Sequence, residues 1–364
     1  MDTINQELEK EGIKVICPIS TLNINEIATY VSRLLCSKMP ELKLKYNTVF
    51  MSIARLPMYI AEMPQGQSDA CYYYKNSSIY FRKGLTFDKI KKLAVHECIH
   101  HLQEVKDNKG NLKKLGLCTY VGNKAYGEAL NEGSVQLISS FLTGEKADIV
   151  KYYDITLPTD SPSYYPLVCN LVKQIGYVSN FSTMFDSTIF ANTAFYDRFI
   201  SACGEDEAYN IQQNLDKIVS YEGKIAELNN KIQTQDLPYK KFKACTDKIS
   251  NYKNKIKKTF FTTQNLIFTS FFNRETKNLL SITRIEEYRK YLYSFKNLIG
   301  LTDNYSYFNE FYIQKMNELD NRYEAIVNNK SLAIVPRSKI SIFFNSIKNL
   351  FTGNANEYEK ENSK

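Results

Sequence analysis

Histidine is scarce in this 364-residue chain, and all three copies fall in one run, His96-Glu97-Cys98-Ile99-His100-His101. The H-E-x-x-H pattern sets two imidazoles four residues apart, which on a helix means one face and Cβ atoms about 5–6 Å apart. Side chains so placed converge on one ion at about 2.0–2.1 Å each, the distance zinc prefers. Glu97 follows the first imidazole and reaches a water on that ion rather than the ion, the position of a general base. The plain alternative, two core histidines with local hydrogen bonds, leaves Glu97 turned inward without a task. His101 points about 100° further round the helix, toward outer packing rather than the ion.

A zinc site needs a third protein ligand. No histidine remains downstream, so a carboxylate or a thiolate must serve. The best candidates lie in Glu128-Ala129-Leu130-Asn131-Glu132-Gly133-Ser134-Val135-Gln136. Glu128 and Glu132 stand one turn apart among Ala129, Leu130, Val135, Leu137 and Ile138. A carboxylate in so apolar a helix is costly unless it pairs with a cation or a metal. An exposed acidic stripe is the bland reading of the same pair.

These groups need elements to hold them. Thr86 is a suitable N-cap for a helix with apolar positions Ile90, Leu93, Ala94, Ile99 and Leu102, ended by the polar run at 107–111. Upstream, 58–63, 70–74 and 78–82 are short β-prone runs with turns between them, a small antiparallel sheet. A second helix is predicted from about 123 to 142, with a stop at Thr143-Gly144. Pro158, Pro162 and Pro166 mark a loop and a new helix start, and helices continue to about Gly204. The fold class is α+β and mainly helical.

The predicted organisation has four parts. Residues 1–57 form an N-terminal helical segment with Ile24, Ile27, Val31, Leu34 and Leu35 on one face, and 58–205 form the core that carries the motifs. Residues 206–335 are a helical region in which Ile211, Leu215, Ile218, Ile225, Leu228 and Ile232 repeat, break at 234–238, and resume at Ile249, Tyr252 and Ile256. That is a helical hairpin rather than a long coiled coil. Residues 336–364 are an amphipathic helix, with Ile340, Phe343, Phe344, Ile347, Leu350 and Phe351 on a face expected to pack on the protein, and then a polar tail.

Hydrophobic residues at 43% and charged residues at 24% exclude wholesale disorder. The 14 Gly and 9 Pro are too few for a collagen-like chain or a large all-β array. No run of about 18 apolar residues predicts a spanning helix. The opening residues 1–7 lack the basic and apolar regions of a cleavable signal, so a cytoplasmic location is expected, with signal-less export left open. The net charge of +8 is mild. Its local excess, lysines 240–258, carries no zinc-finger, KH or RNP-like pattern, so it reads as a solvated helix face and no nucleic-acid partner is expected. Eight scattered cysteines with no C-x-x-C pair read as free thiols in a reducing compartment.

His96-Glu97-x-x-His100 followed by Leu130-Asn131-Glu132-Gly133 resembles the gluzincin metallopeptidases, which include thermolysin-like and aminopeptidase-type enzymes. The resemblance covers roughly residues 58–143. It implies a zincin-like catalytic core: a small antiparallel sheet, an active-site helix, and a second helix whose glutamate, here Glu132, is the third Zn2+ ligand beside His96 and His100. It implies that Ser78–Arg82 is the edge strand that lines the cleft and pairs with an extended substrate. The implied activity is hydrolysis of peptide or protein substrates, with Glu97 taking a proton from the activated water and passing it to the leaving amine. A further donor steadies the oxyanion, a role often filled by Tyr or His in this clan, and Tyr120, Tyr126, Tyr164 and Tyr165 are candidates. Two departures stand out. The stretch between the motifs is long, implying an enlarged loop near 107–120. Gln136 stands where thermolysin-like enzymes carry an aspartate that supports the first histidine, which makes Glu128 a candidate substitute. No Gly-rich exopeptidase signature is present.

A di-iron carboxylate bundle also uses Glu-x-x-His but needs a second such motif, for which no histidine remains. The surviving alternative is a non-catalytic, metal-stabilised scaffold, a degenerate peptidase whose C-terminal helices dock a protein partner. The intact Glu97 speaks against it, since a purely structural ion has no use for a base beside its ligands.

Overall fold

The computed structural model describes residues 2–328, apart from 65–67, 123, 146–147, 277–278 and 301–306. The amphipathic stretch expected at 336–364 lies outside the described residues. By compactness the chain forms two units, one of residues 1–278 with 290–313 and one of 279–289 with 314–364. His96, His100 and Glu132 all belong to the first.

That unit begins with α1 (Asp2–Lys10), β1 (Lys14–Pro18), α2 (Thr21–Lys38) and α3 (Tyr46–Ala54), followed by β2 (Met58–Glu62), β3 (Ala70–Tyr73) and β4 (Ser78–Arg82). The four strands form one sheet in the order β1-β2-β4-β3. Side chains alternate between its faces, as the two-residue period of a strand requires. Met58, Ala70, Ile79 and Phe81 join the main core with Ile27 and Val31 of α2 and Ile53 of α3. Ala61, Tyr73 and Tyr80 point the other way, onto Leu8 and Ile13.

Three features differ from the sequence-based expectation. The first segment is not wholly helical, because β1 pairs antiparallel with β2. All five β1 residues are exposed, so no buried face leaves an alternating signal. The sheet is mixed rather than antiparallel, since β2 and β4 run parallel with Met58 opposite Ile79. Ser78–Arg82 is an inner strand: Ser78, Ile79, Tyr80 and Phe81 are all buried, the pattern of a strand covered on both faces. The edge strand on that side is β3, with β1 at the opposite edge.

Then comes α4 (Phe87–Leu102), with Thr86 as the expected cap, its hydroxyl accepting the Lys89 N–H at 3.3 Å. This helix ends sooner than predicted, and 107–111 is instead the turn of a hairpin. β5 (Glu104–Lys106), β6 (Leu112–Leu115), β7 (Cys118–Val121) and β8 (Lys124–Tyr126) form a second sheet, antiparallel throughout, where an enlarged loop was expected. Strands of three or four residues are too short to carry much period-two hydrophobic signal, and the adjacent Lys113 and Lys114 of β6 break it further.

The glutamate helix α5 (Glu128–Thr143) stops at Gly144 as predicted. It packs on α4 through Val135, Ile138 and Leu142, which meet Val95, Cys98 and Ile99 in the main core. On its other side α6 (Pro166–Ser179) approaches closely, because Gly133 has no side chain: a Cβ there would stand 2.7 Å from Val172 Cγ2 and 2.9 Å from Val168 Cγ1. Between them lies a hairpin, β9 (Asp148–Tyr152) and β10 (Ile155–Thr159), turning through Tyr153 and Asp154.

The remaining helices of this unit are α7 (Phe181–Phe190), α8 (Ala194–Cys203), α9 (Glu205–Thr234) and α10 (Tyr239–Glu275). α9 and α10 form the expected hairpin, closing with Tyr221 and Tyr252 at 5.7 Å between ring centroids. Phe260, Phe268 and Phe272 of α10 are buried, and Phe272 meets Phe295 edge-on at 5.3 Å. Phe295 lies on α11 (Ile282–Ile299), which α12 (Phe308–Val327) follows. All eight cysteines are free thiols. Among the described residues no helix is long and apolar enough to cross a membrane.

Candidate metal centre

On α4, the 3.6-residue repeat puts His96 and His100 on one face while Ala94, Val95, Cys98 and Ile99 bury the helix in the core. α5 crosses that face and presents Glu132 to both imidazoles. Glu132 Oε2 lies 3.4 Å from His96 Nε2, and Oε1 lies 3.2 Å from His100 Nε2. The two Nε2 atoms are 3.0 Å apart. One ligand atom from each of the three residues falls within 4.8 Å of the others. The side chains of His96 and Glu132 keep 13% and 21% exposure against 6% for His100, so solvent reaches the first two more than the third.

The outer contacts fix which ring nitrogen carries the proton. His96 Nδ1 donates to Gln136 Oε1 at 2.9 Å, and the Gln136 amide is oriented by its NH2 donating to Ser140, which itself donates to Glu145. His100 Nδ1 donates to Gln103 Oε1 at 3.2 Å. The Gln103 amide is oriented in turn by the Thr188 carbonyl and by Asn131, whose Nδ2 donates to Gln103 Oε1 at 2.9 Å. With both Nδ1 protons committed, both Nε2 atoms face one space beside a carboxylate, and in the neutral rings each offers it a lone pair. Lone pairs that close repel unless a cation lies between them, and two imidazole nitrogens with one carboxylate oxygen is a donor set that suits zinc.

The electrostatics agree. Burial opposes the charged form of His100, yet Glu132 and then Glu97 outweigh it and push its pKa up to about 9. Burial likewise opposes the Glu132 carboxylate, but His100 and His96 hold its carboxyl well below the usual range. The space is built for positive charge.

Glu97 is 6% exposed and faces the same region. Its Oε2 accepts the backbone N–H of Tyr72 at 2.7 Å, a short charge-assisted bond from the edge strand β3. His101 turns away from the ion space, as its helix position predicts. It touches Ser52 Oγ at 2.9 Å and the Tyr72 hydroxyl at 3.3 Å, and so braces the strand that holds Glu97.

Glu128 does not support His96; that partner is Gln136 itself, one turn beyond Glu132 on the same helix. Glu128 sits at the first turn of α5, where burial and then Glu132 raise its pKa. The N-cap there is Gly127, which offers no side chain, and Asp216 of α9 supplies the missing acceptor by taking the Ala129 N–H at 3.0 Å. Of the tyrosines, Tyr126 is 44% exposed and Tyr120 packs on Tyr74 at 6.0 Å. Tyr164 sits by Asp69 and Lys89. The charge of Glu132, then burial and Glu97, push the Tyr165 phenol well above 10 and keep it a donor.

The chain matches no family model, no curated protein and no solved structure. The chemistry of the centre therefore rests on its own geometry.

Sequence reasoning missed the Asn131–Gln103–His100 relay. Its one visible signal was a glutamine three residues after His100. Gly116 (φ 55) closes over this relay, and a Cβ there would collide with Asn131 Oδ1 and stand 2.7 Å from Gln103 Nε2 and 2.8 Å from the Thr188 carbonyl. Gly116→Ala is expected to destabilise the fold by about 1–3 kcal/mol, from left-handed strain plus overpacking. A urea unfolding curve with an unchanged midpoint would contradict this.

Proposed function

We propose that this chain is a zinc-dependent peptidase of the gluzincin kind. The observation that carries the reading is the convergence of two proton-committed imidazoles and Glu132 on one space, with a buried Glu97 fixed beside it. His96, His100 and Glu132 would hold the ion. Zinc bound there supplies Lewis acidity, lowering the pKa of a water toward about 7 and polarising a carbonyl. Glu97 would serve as the general base, taking a proton from the attacking water and passing it to the leaving amine, its carboxylate held in place by the Tyr72 N–H. Tyr165 donates its phenol proton to the oxygen that gains charge. On the free side of β3 the Tyr72 N–H goes to Glu97 and the Ala70 N–H to Ser68 Oγ, so an extended peptide beside Glu97 would pair there through the strand's carbonyl groups.

The test is zinc analysis of purified protein together with digestion of a broad peptide library. About one zinc per chain is expected, with cleavage lost on chelation by phenanthroline and restored by added zinc. Tightly bound zinc with no cleavage of any peptide would assign the centre to a scaffold instead.

A further inference from the structure

The α9–α10 hairpin turns through residues 235–238, and its second arm is basic in a way the fold does not use. Between 239 and 258 the chain has eight lysines against one aspartate, and no arginine. Lys240, Lys241, Lys243 and Lys248 are exposed and join no salt bridge among the described residues. The first three open α10, which has no acidic residue in its first turn and no side-chain cap. Cations there oppose the helix dipole, whose positive end favours anions. The lysines therefore cost the helix stability, and an anionic surface laid against them would offset that cost.

Apolar side chains stand among them. Tyr239 is 79% exposed, more than any other aromatic among the described residues, and Phe242 is 43% exposed. Phe242 also lines a cleft of about 460 Å3 with Ile232 and Ile249, so apolar surface continues from the tip into the hairpin. A merely solvated lysine face has no use for two aromatic rings at its end. Rings flanked by lysines make an interfacial anchor: the rings enter the headgroup layer while the ammonium groups stay at the phosphates. Lysine without arginine favours that occupant. Protein interfaces deplete lysine and enrich arginine, and recognition of one particular phosphate or base uses the arginine fork. A fluid lipid surface needs only diffuse positive charge.

We propose that the tip of the α9–α10 hairpin, Tyr239 to Lys243, is a docking surface for a bilayer rich in anionic phospholipid. The attachment is peripheral, through two rings and three ammonium groups, and it stands independently of the peptidase reading.

The chain contains no tryptophan, so Tyr239→Trp places a single reporter at the tip. The full-length protein is mixed with vesicles of phosphatidylcholine alone, or with about one-third phosphatidylserine added. The anionic vesicles are expected to carry the protein down on centrifugation, to shift the indole emission to the blue, and to expose it to quenching by brominated lipid tails. Neutral vesicles should do none of these. The combined change Lys240→Gln, Lys241→Gln and Lys243→Gln should weaken partitioning by about 100-fold. Tyr239→Ser, at a position too exposed to disturb folding, should weaken it by about tenfold. Equal binding to both vesicles, binding to neither, or partitioning that the triple variant keeps overturns the proposal. So does binding that leaves the indole unshifted and unquenched, since the tip is then not what touches lipid. Tight binding to duplex DNA with none to vesicles assigns the lysines to nucleic acid and overturns it as well.

Discussion

Glu97→Gln is expected to lower kcat for peptide cleavage by about 10^2–10^4-fold while zinc content stays at the wild-type level. The substitution is nearly isosteric, and its remaining amide oxygen can still accept the Tyr72 N–H that Glu97 accepts at 2.7 Å. What it loses is the capacity to take and return a proton. Glu97 lies outside the cluster of converging ligand atoms formed by His96, His100 and Glu132, so the ion should not notice the change. Equal loss of zinc and activity would mean that Glu97 is a ligand and the general-base role is wrong. Full activity with zinc retained would remove the hydrolytic mechanism altogether.

Glu132→Ala should act on the other half of the chemistry. It removes the one carboxylate that contacts both imidazoles, leaving two neutral nitrogens and a cavity. Disturbing a group behind a ligand typically weakens binding by about 10–100-fold, so loss of a ligand itself should exceed that range. Competition against a chromophoric chelator measures it, with Glu132→Gln as a shape-preserving companion. Its companion effect on cleavage should be near-complete at limiting zinc and partly recovered at high zinc. Wild-type affinity in Glu132→Ala would show that the third ligand lies elsewhere, with Glu128 next in line.

Much of this site was legible in the residues. The histidine spacing, the Thr86 cap, the stop at Gly144 and the break between α9 and α10 all follow from local rules that need only a few neighbours. The choice between Glu128 and Glu132 did not: local spacing allows both, and it is the crossing of α5 over α4 that brings Glu132 to the imidazoles. The strands were the weaker part. β1 is exposed throughout, and β5 to β8 are only three or four residues long, so neither carries an alternating pattern that would mark the sequence. That Ser78–Arg82 lies inside the sheet and β3 at its edge depends on long-range pairing, which no window of residues contains. Gln136 illustrates a different lesson. It lacks the charge of the expected aspartate, yet an amide oxygen oriented through Ser140 and Glu145 accepts the same proton.

The cap that Asp216 places on α5 has a consequence for how the molecule is assembled. Asp216 is 87 residues downstream of the amide it receives. At about 5–20 residues per second of synthesis, the glutamate helix leaves the ribosome several seconds before its acceptor exists. Through that interval the Ala129 N–H in its first turn lacks its acceptor. The helix that carries Glu132 therefore gains its N-terminal cap only once α9 is made, and a chain cut before α9 carries His96, His100 and Glu132 with that end of α5 uncapped.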